Sequence, residues 1–75
     1  MAMKPLVTAG SPKERVTRFF RRTPRYSQYT IQEIAAGVDL PVKKVTGVVT
    51  ALQKQDHLAG EERDDTKYFR WVDTP

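Results

Sequence analysis

The sequence predicts a single small α+β domain in which three helices precede a β-hairpin. Apolar residues recur at helical spacing, three or four residues apart, in three successive segments between residues 12 and 55. Each segment begins with residues that are typical of a helix start. After residue 56 the pattern changes to two short runs of strand-forming residues on either side of a polar turn, which indicates a hairpin.

Length and composition limit the classes of protein to which the chain can belong. With 75 residues it forms one domain at most. The absence of cysteine excludes disulfides and thiolate metal sites and fits a reducing compartment. No apolar run approaches the ~20 residues needed to cross a bilayer, and no signal-peptide pattern is present. We therefore expect a cytoplasmic protein without a membrane partner, associated with the nucleoid if it binds DNA.

The chain is predicted to divide into an arm, a domain and a tail. Residues 1–10 contain two methionines, a proline and a glycine without periodicity, so we expect a flexible N-terminal arm there. The folded domain is predicted to span residues 11–72, and residues 73–75 form a short tail.

The first helix is predicted over Pro12–Arg22. Ser11 can cap it, proline suits the first helical position, and Glu14 completes a capping box. Thr23 followed by Pro24 ends it, because the residue before a proline disfavours the helical conformation. The buried stripe of this helix is predicted to comprise Val16, Phe19 and Phe20.

The second and third helices are predicted to form a helix-turn-helix. Thr30 and Glu33 match a capping box at the start of the second helix, and Gly37 stands near its end, where glycine can adopt the left-handed conformation. A tight turn follows, and Pro41 opens a third helix over residues 41–55. The apolar face of the second helix is predicted to comprise Ile31, Ile34, Ala35 and Val38.

The C-terminal hairpin is predicted to start near His57 and Leu58 and to turn at residues 63–66. Lys67–Val72 reads as its second strand, and alternation places Phe69 and Trp71 on one face, closing over the helices. A minimal third strand is predicted around Gln28.

The third helix has the properties of a recognition helix. Its apolar stripe is formed by Val45, Val48, Val49 and Leu52. Its opposite face carries no acid, has small side chains in the middle, and comprises Lys43, Thr46, Gly47, Thr50 and Lys54. A helix ~10–12 Å across fits the major groove of B-DNA, which is ~12 Å wide.

The charge distribution favours a polyanion as partner. The net charge is +4, but residues 1–27 carry +6, residues 28–55 carry +1, and residues 56–75 carry −3. A basic surface on one side of a small domain is the electrostatic footprint of a nucleic-acid binder.

Residues 30–38 (TIQEIAAGV) and 40–58 (LPVKKVTGVVTALQKQDHL) resemble the second and third helices of bacterial and phage winged helix-turn-helix regulators. In that family an Ile/Leu-Ala step precedes the turn, a Val-(Ser/Thr) pair opens the recognition helix, and Leu-x-Lys-x-Gly-x-Leu leads into the wing. Here Asp56 stands at the glycine position, which aspartate can tolerate. The resemblance covers residues 12–72 and implies a DNA-binding transcriptional regulator with a two-stranded wing.

The Lys43-Lys44 pair, Leu52 and Trp71 are also similar to Z-DNA-binding winged helices. That family pairs an asparagine with a tyrosine in the recognition helix and has prolines before the tryptophan. This chain has Thr46 and Thr50 at about those positions and lacks the prolines.

Double-stranded DNA is therefore the predicted partner, bound through basic and small polar side chains. The candidates on the third helix are Lys43, Lys44, Thr46, Gly47, Thr50 and Lys54. The candidates elsewhere are Arg21, Arg22, Arg25, Gln28, Thr30 and Arg63.

Gly47 admits two explanations that the sequence leaves open. Glycine inside a helix costs about 1 kcal/mol relative to alanine. In the first explanation, the glycine is tolerated at this cost or is needed for close packing against a neighbouring helix. In the second, it lets the DNA backbone or a partner surface approach closely. Thr46 and Thr50 can contact a thymine methyl or a phosphate.

A protein-binding function is the alternative. Acids at Glu61, Glu62, Asp64 and Asp65 surround Arg63 in the hairpin, and acids repel phosphate. In this alternative the hairpin docks a host DNA-binding or polymerase protein, and the chain acts as an adaptor or an inhibitor. A phage-encoded protein of this kind is one form of the alternative. Because one module binds specific DNA weakly, a homodimer or a partner is expected, with Tyr26, Tyr29 and Tyr68 as candidates for a dimer interface or as half-buried supports.

The sequence offers no enzyme, metal or cofactor site. His57 is the one histidine and is expected to be structural. The acidic cluster of the hairpin lacks the spacing and the glycine of a calcium loop, and no phosphate-binding glycine motif is present.

Overall fold

The computed structural model describes residues 7–24 and 27–72. Its elements follow in the order α1 (Pro12–Arg22), α2 (Ile31–Val38), α3 (Val42–Lys54), β1 (Leu58–Arg63) and β2 (Thr66–Trp71). This confirms the predicted α+β layout of three helices followed by a hairpin. Arg25, Tyr26 and the tail of residues 73–75 lie outside the described residues, as do residues 1–6 of the predicted arm.

Helix α1 begins at its predicted cap. The Ser11 side chain accepts a hydrogen bond from the Glu14 backbone N–H at 3.2 Å, and its hydroxyl donates to the Glu14 carboxylate at 3.1 Å. At the other end Thr23 is in the extended conformation, and its N–H donates to the Phe19 carbonyl. Both boundaries agree with the sequence prediction, but the second bond of the predicted capping box, from the Ser11 N–H to the Glu14 side chain, is not formed among the described residues.

Helix α2 also begins as predicted but ends differently. Thr30 and Glu33 form the reciprocal capping box, with bonds of 2.9 and 3.2 Å. The left-handed residue after the helix is Asp39 (φ 54°), so the prediction that Gly37 takes this conformation is wrong. Gly37 lies within the helix, where a Cβ atom would stand 2.6 Å from Cδ1 of Phe19. Close packing against α1 therefore explains this glycine.

Helix α3 is one residue shorter at each end than the predicted 41–55. Pro41 is its N-cap, with an extended backbone, and Gln55 is its C-cap. The chain then passes through Asp56, which is left-handed (φ 62°), a conformation that aspartate tolerates better than most residues. The His57 N–H donates to the Leu52 carbonyl at 2.9 Å and fixes the exit towards β1.

The two strands pair in an antiparallel register that joins Leu58 to Trp71 and Arg63 to Thr66. Asp64 and Asp65 form a two-residue turn, and both have positive φ, as a type I′ turn requires. β2 begins and ends one residue before the predicted strand Lys67–Val72.

The expected third strand is reduced to a single bridge. Tyr29 and Phe69 exchange backbone hydrogen bonds of 2.9 and 2.7 Å, which ties the segment between α1 and α2 to the free edge of β2. The Tyr29 ring packs edge-on against Phe19 and Phe20, so this tyrosine is a half-buried support.

One core joins the helices to the hairpin. Ile34, Val45 and Leu52 are almost completely buried in it, and Phe69 closes it from the hairpin as predicted. Trp71 is half-buried, with His57 stacked on its indole at 5.4 Å. None of the helices described is long and apolar enough to span a membrane.

Part of the predicted arm belongs to the domain. Val7 is buried, and its N–H donates to the Gly37 carbonyl at 3.0 Å. The guanidinium groups of Arg15 and Arg18 hold the next residues by donating to the carbonyls of Gly10 and Ala9.

Candidate nucleic-acid interface

The outward face of α3 is built by the same periodicity that forms the core. Val45, Val49 and Leu52 are buried, which turns the opposite side of the helix to solvent. All five residues predicted for that side are exposed: Lys43, Thr46, Gly47, Thr50 and Lys54. We refer to these five residues as the α3 face.

The α3 face is positively charged. Helix α3 contains three lysines and no acid. Within the part of the chain that the structure describes, none of Lys43, Lys44 and Lys54 has a carboxylate within ion-pair distance. Their charge is therefore available to an anionic partner.

The N-terminus of α3 adds partial positive charge at the same place. Pro41 provides no side-chain cap, whereas α1 and α2 both have one. Among the described residues, the backbone N–H groups of Val42, Lys43 and Lys44 find no acceptor. Unpaired N–H groups at a helix start favour anions such as phosphate.

Gly47 occupies open space. A Cβ atom built on it would meet nothing within 4 Å in the described structure, in contrast to Gly37. Packing against a neighbouring helix is therefore excluded as the reason for this glycine within the described chain. What remains is tolerance, or a partner surface that approaches the helix backbone closely.

The two threonines of the α3 face have their hydroxyl protons engaged. Thr46 donates to the Val42 carbonyl and Thr50 donates to the Thr46 carbonyl, both at 2.8 Å. Each hydroxyl oxygen keeps acceptor capacity, and each side chain keeps its methyl group. These residues present no free donor to a base.

Gln28 and Arg63, predicted as separate contacts, are joined in the structure. Arg63 donates to the Gln28 amide oxygen at 2.6 Å, and the Gln28 amide nitrogen donates to Glu61 at 3.0 Å. The Arg63 guanidinium also lies 4.6 Å from the centre of the Tyr68 ring. Arg63 is thus oriented by Gln28 and Tyr68, and Gln28 in turn links it to the Glu61 carboxylate.

The arginines of α1 divide into two groups. Arg15 donates to the Val38 carbonyl at the end of α2 as well as to Gly10, and Arg18 pairs with Glu14 at 3.6 Å. Arg15 thereby joins α1 to the end of α2, and Arg18 also donates to the Ala9 carbonyl. Sequence reasoning missed these contacts because the carbonyl partners are set by tertiary structure. Arg21 and Arg22 are exposed in the last turn of α1. Arg25 lies outside the described residues.

Thr30 performs the capping function described above, and it precedes α2. The acidic residues of the hairpin are exposed and comprise Glu61, Glu62, Asp64 and Asp65. In the described part of the chain no group of three or more His, Asp or Glu side chains is placed to hold a metal ion.

Comparison with models of known protein families finds no match, and comparison with curated proteins finds no similar sequence. The candidate interface is therefore defined by its own geometry and charge.

Proposed function

We propose that this protein is a small transcriptional regulator of bacterial or phage type, acting in the cytoplasm as a winged helix-turn-helix module that binds double-stranded DNA. The α3 face enters the major groove. The observation that supports this best is an exposed, acid-free helix face with lysines near both ends and a glycine in open space at its centre.

Each part of this face, together with the adjoining start of α3, makes a different contact in the major groove. Gly47 allows the helix backbone to approach the DNA more closely than any side chain would. Lys43, Lys44 and the unpaired N–H groups around them bind phosphate oxygens. Lys54, at the other end of the face, binds the sugar-phosphate backbone of the DNA.

Further contacts come from the flanks of the helix-turn-helix. Arg21, Arg22 and Arg25 near the end of α1, and Thr30 before α2, add phosphate contacts. Arg63 reaches the DNA from the hairpin in the orientation that Gln28 and Tyr68 give it. A second module, supplied by a homodimer or by a partner protein, raises the affinity.

The test is a titration of labelled duplex DNA at two salt concentrations with the wild type, Lys43→Glu and Lys13→Glu. Both variants change the net charge equally, but Lys13 is exposed on α1 and not on the α3 face. We expect salt-dependent wild-type binding, a large loss in Lys43→Glu and a small loss in Lys13→Glu. Equal losses indicate general attraction only, and no binding at low salt refutes the proposal.

The hairpin favours a second candidate function, the capture of a host DNA-binding or polymerase protein. Its four acids are exposed and would repel phosphate. In that case Glu62→Ala abolishes capture of a basic partner while Lys43→Glu does little. If the protein binds DNA, Glu62→Ala leaves duplex affinity unchanged or slightly higher.

A further inference from the structure

We infer that the α3 face reads base pairs mainly through the methyl group on C5 of pyrimidines, so that its preferred ligand is duplex DNA with thymine at the contacted positions. This inference rests on the proposed function and specifies the chemistry of the same site. It follows from which groups of the face are committed to the fold and which are left for a partner.

Hydrogen-bond donors are scarce at the centre of the face. The hydroxyl protons of Thr46 and Thr50 are held by helix carbonyls at 2.8 Å, so using them on a base requires breaking an internal bond. The five residues of the face include no Arg, Asn or Gln, the side chains that form paired hydrogen bonds with guanine or adenine. The centre of the face therefore offers few donors with which to distinguish one base pair from another by hydrogen bonding.

The lysines near the ends of the face are better placed for phosphates than for bases. Lys43 and Lys54 are separated by eleven positions, or about 16 Å along the helix axis at ~1.5 Å per residue. This exceeds the ~12 Å width of the major groove. When the centre of the helix contacts base edges, both ends are directed towards the sugar-phosphate backbones.

Apolar groups remain available at the centre. The methyl groups of Thr46 and Thr50 belong to exposed residues, with open space at Gly47 beside them. Val42, 46% exposed, and the exposed Ala51 lie at the two borders of the face. The apolar group that the major groove offers is the thymine methyl, which Thr and Ala side chains contact directly.

Duplexes that differ only in this methyl group test the inference. The probes are an A·T duplex of mixed order, about two helical turns long, and the same duplex with deoxyuridine in place of thymidine. A second pair is a mixed-sequence G·C duplex with cytosine or with 5-methylcytosine. Thymine to uracil removes the methyl and 5-methylcytosine adds one, while Watson–Crick pairing is kept in both.

The protein variants are matched in the same way. The double variant Thr46→Ser, Thr50→Ser keeps the hydroxyls and loses the methyls, whereas Thr46→Val, Thr50→Val loses the hydroxyls and keeps the methyls. For the wild type we expect the methylated member of each pair to bind more tightly, by about fourfold per contacted methyl. The Val variant keeps this ratio, and the Ser variant brings it close to one. Thermal unfolding checks that both variants are folded.

The outcomes separate the inference from the proposed function. Salt-dependent duplex binding with equal affinity for thymine and uracil probes refutes the methyl readout and leaves DNA binding standing. A thymine preference of undiminished size in the Ser variant shows that the threonine methyl groups do not read the base and also refutes the inference. Absence of duplex binding at low salt refutes both.

Discussion

Two glycines lie within helices but have opposite surroundings. Gly37 is required by the fold, because a Cβ atom there would overlap the Phe19 ring, whereas Gly47 has nothing near it in the described structure. We expect Gly37→Ala to lower the free energy of unfolding by about 1–3 kcal/mol through overpacking. We expect Gly47→Ala to raise it by up to about 1 kcal/mol, since alanine is the better helix former. Urea unfolding measures both changes.

The same Gly47→Ala variant separates stability from binding. If α3 approaches DNA closely at this position, the added methyl weakens duplex affinity although the protein is more stable. Ala36→Gly, at an exposed position of α2, is the control, since it makes the opposite change in a helix outside the α3 face. A Gly47→Ala protein that is more stable and binds as tightly as the wild type shows that this glycine is merely tolerated.

Two arginines of α1 are expected to act in different ways. Arg15 donates to the carbonyls of Gly10 and Val38, so Arg15→Met removes two bonds and a favourable charge at the end of α2. We expect a loss of about 1–3 kcal/mol in the free energy of unfolding, measured with urea. Arg21→Met, the control at an exposed position of the same helix, should leave stability within about 0.5 kcal/mol. Equal losses would contradict a structural role particular to Arg15.

At the scale of elements, the hairpin turn leaves room for stabilisation. Asp65 has a φ of 62°, a conformation that glycine adopts without the steric penalty of a Cβ atom. We expect Asp65→Gly to raise the free energy of unfolding by about 1 kcal/mol, and Asp65→Asn, which removes the same charge, to raise it less. Thermal unfolding compares the two. A gain for asparagine as large as that for glycine would mean that removal of the charge, and not relief of the positive φ, accounts for the stabilisation.

The elements were predictable because their signals are local. Ser11 with Glu14 and Thr30 with Glu33 are capping pairs three residues apart, and helical periodicity predicted the core side and the exposed side of α3. The hairpin followed from strand formers on either side of a polar turn.

Contacts between distant segments were not predictable in this way. The bonds that Gln28 makes with Glu61 and Arg63 join residues 33 and 35 positions apart, and no local pattern encodes them. The sequence suggested a left-handed Gly37 because it could not show that Phe19 lies against this position. Buried Val7 was assigned to the arm for the same reason, since its partners lie in a different part of the chain.

At the scale of the whole molecule, the core and the proposed interface share one helix. Leu52, which is 1% exposed, lies on the buried side of α3, and the α3 face lies on the opposite side of the same helix. A loss of core packing therefore reduces the population of folded protein that can bind. Conversely, a ligand that binds only the folded state stabilises it by mass action.

This coupling gives the last prediction. We expect Leu52→Ala to lower the free energy of unfolding by about 2–5 kcal/mol, a large part of the ~5–15 kcal/mol typical of a domain. Duplex DNA at about 100 times its Kd should restore about 2.7 kcal/mol, which in a domain of this size raises Tm by about 10–20 °C. Thermal scans with and without DNA, at low and high salt, measure the recovery. Adding Lys43→Glu to the Leu52→Ala protein should remove it. If DNA leaves the Tm of Leu52→Ala unchanged at low salt, the folded domain has no affinity for DNA, and the acidic hairpin becomes the surface on which to search for a partner.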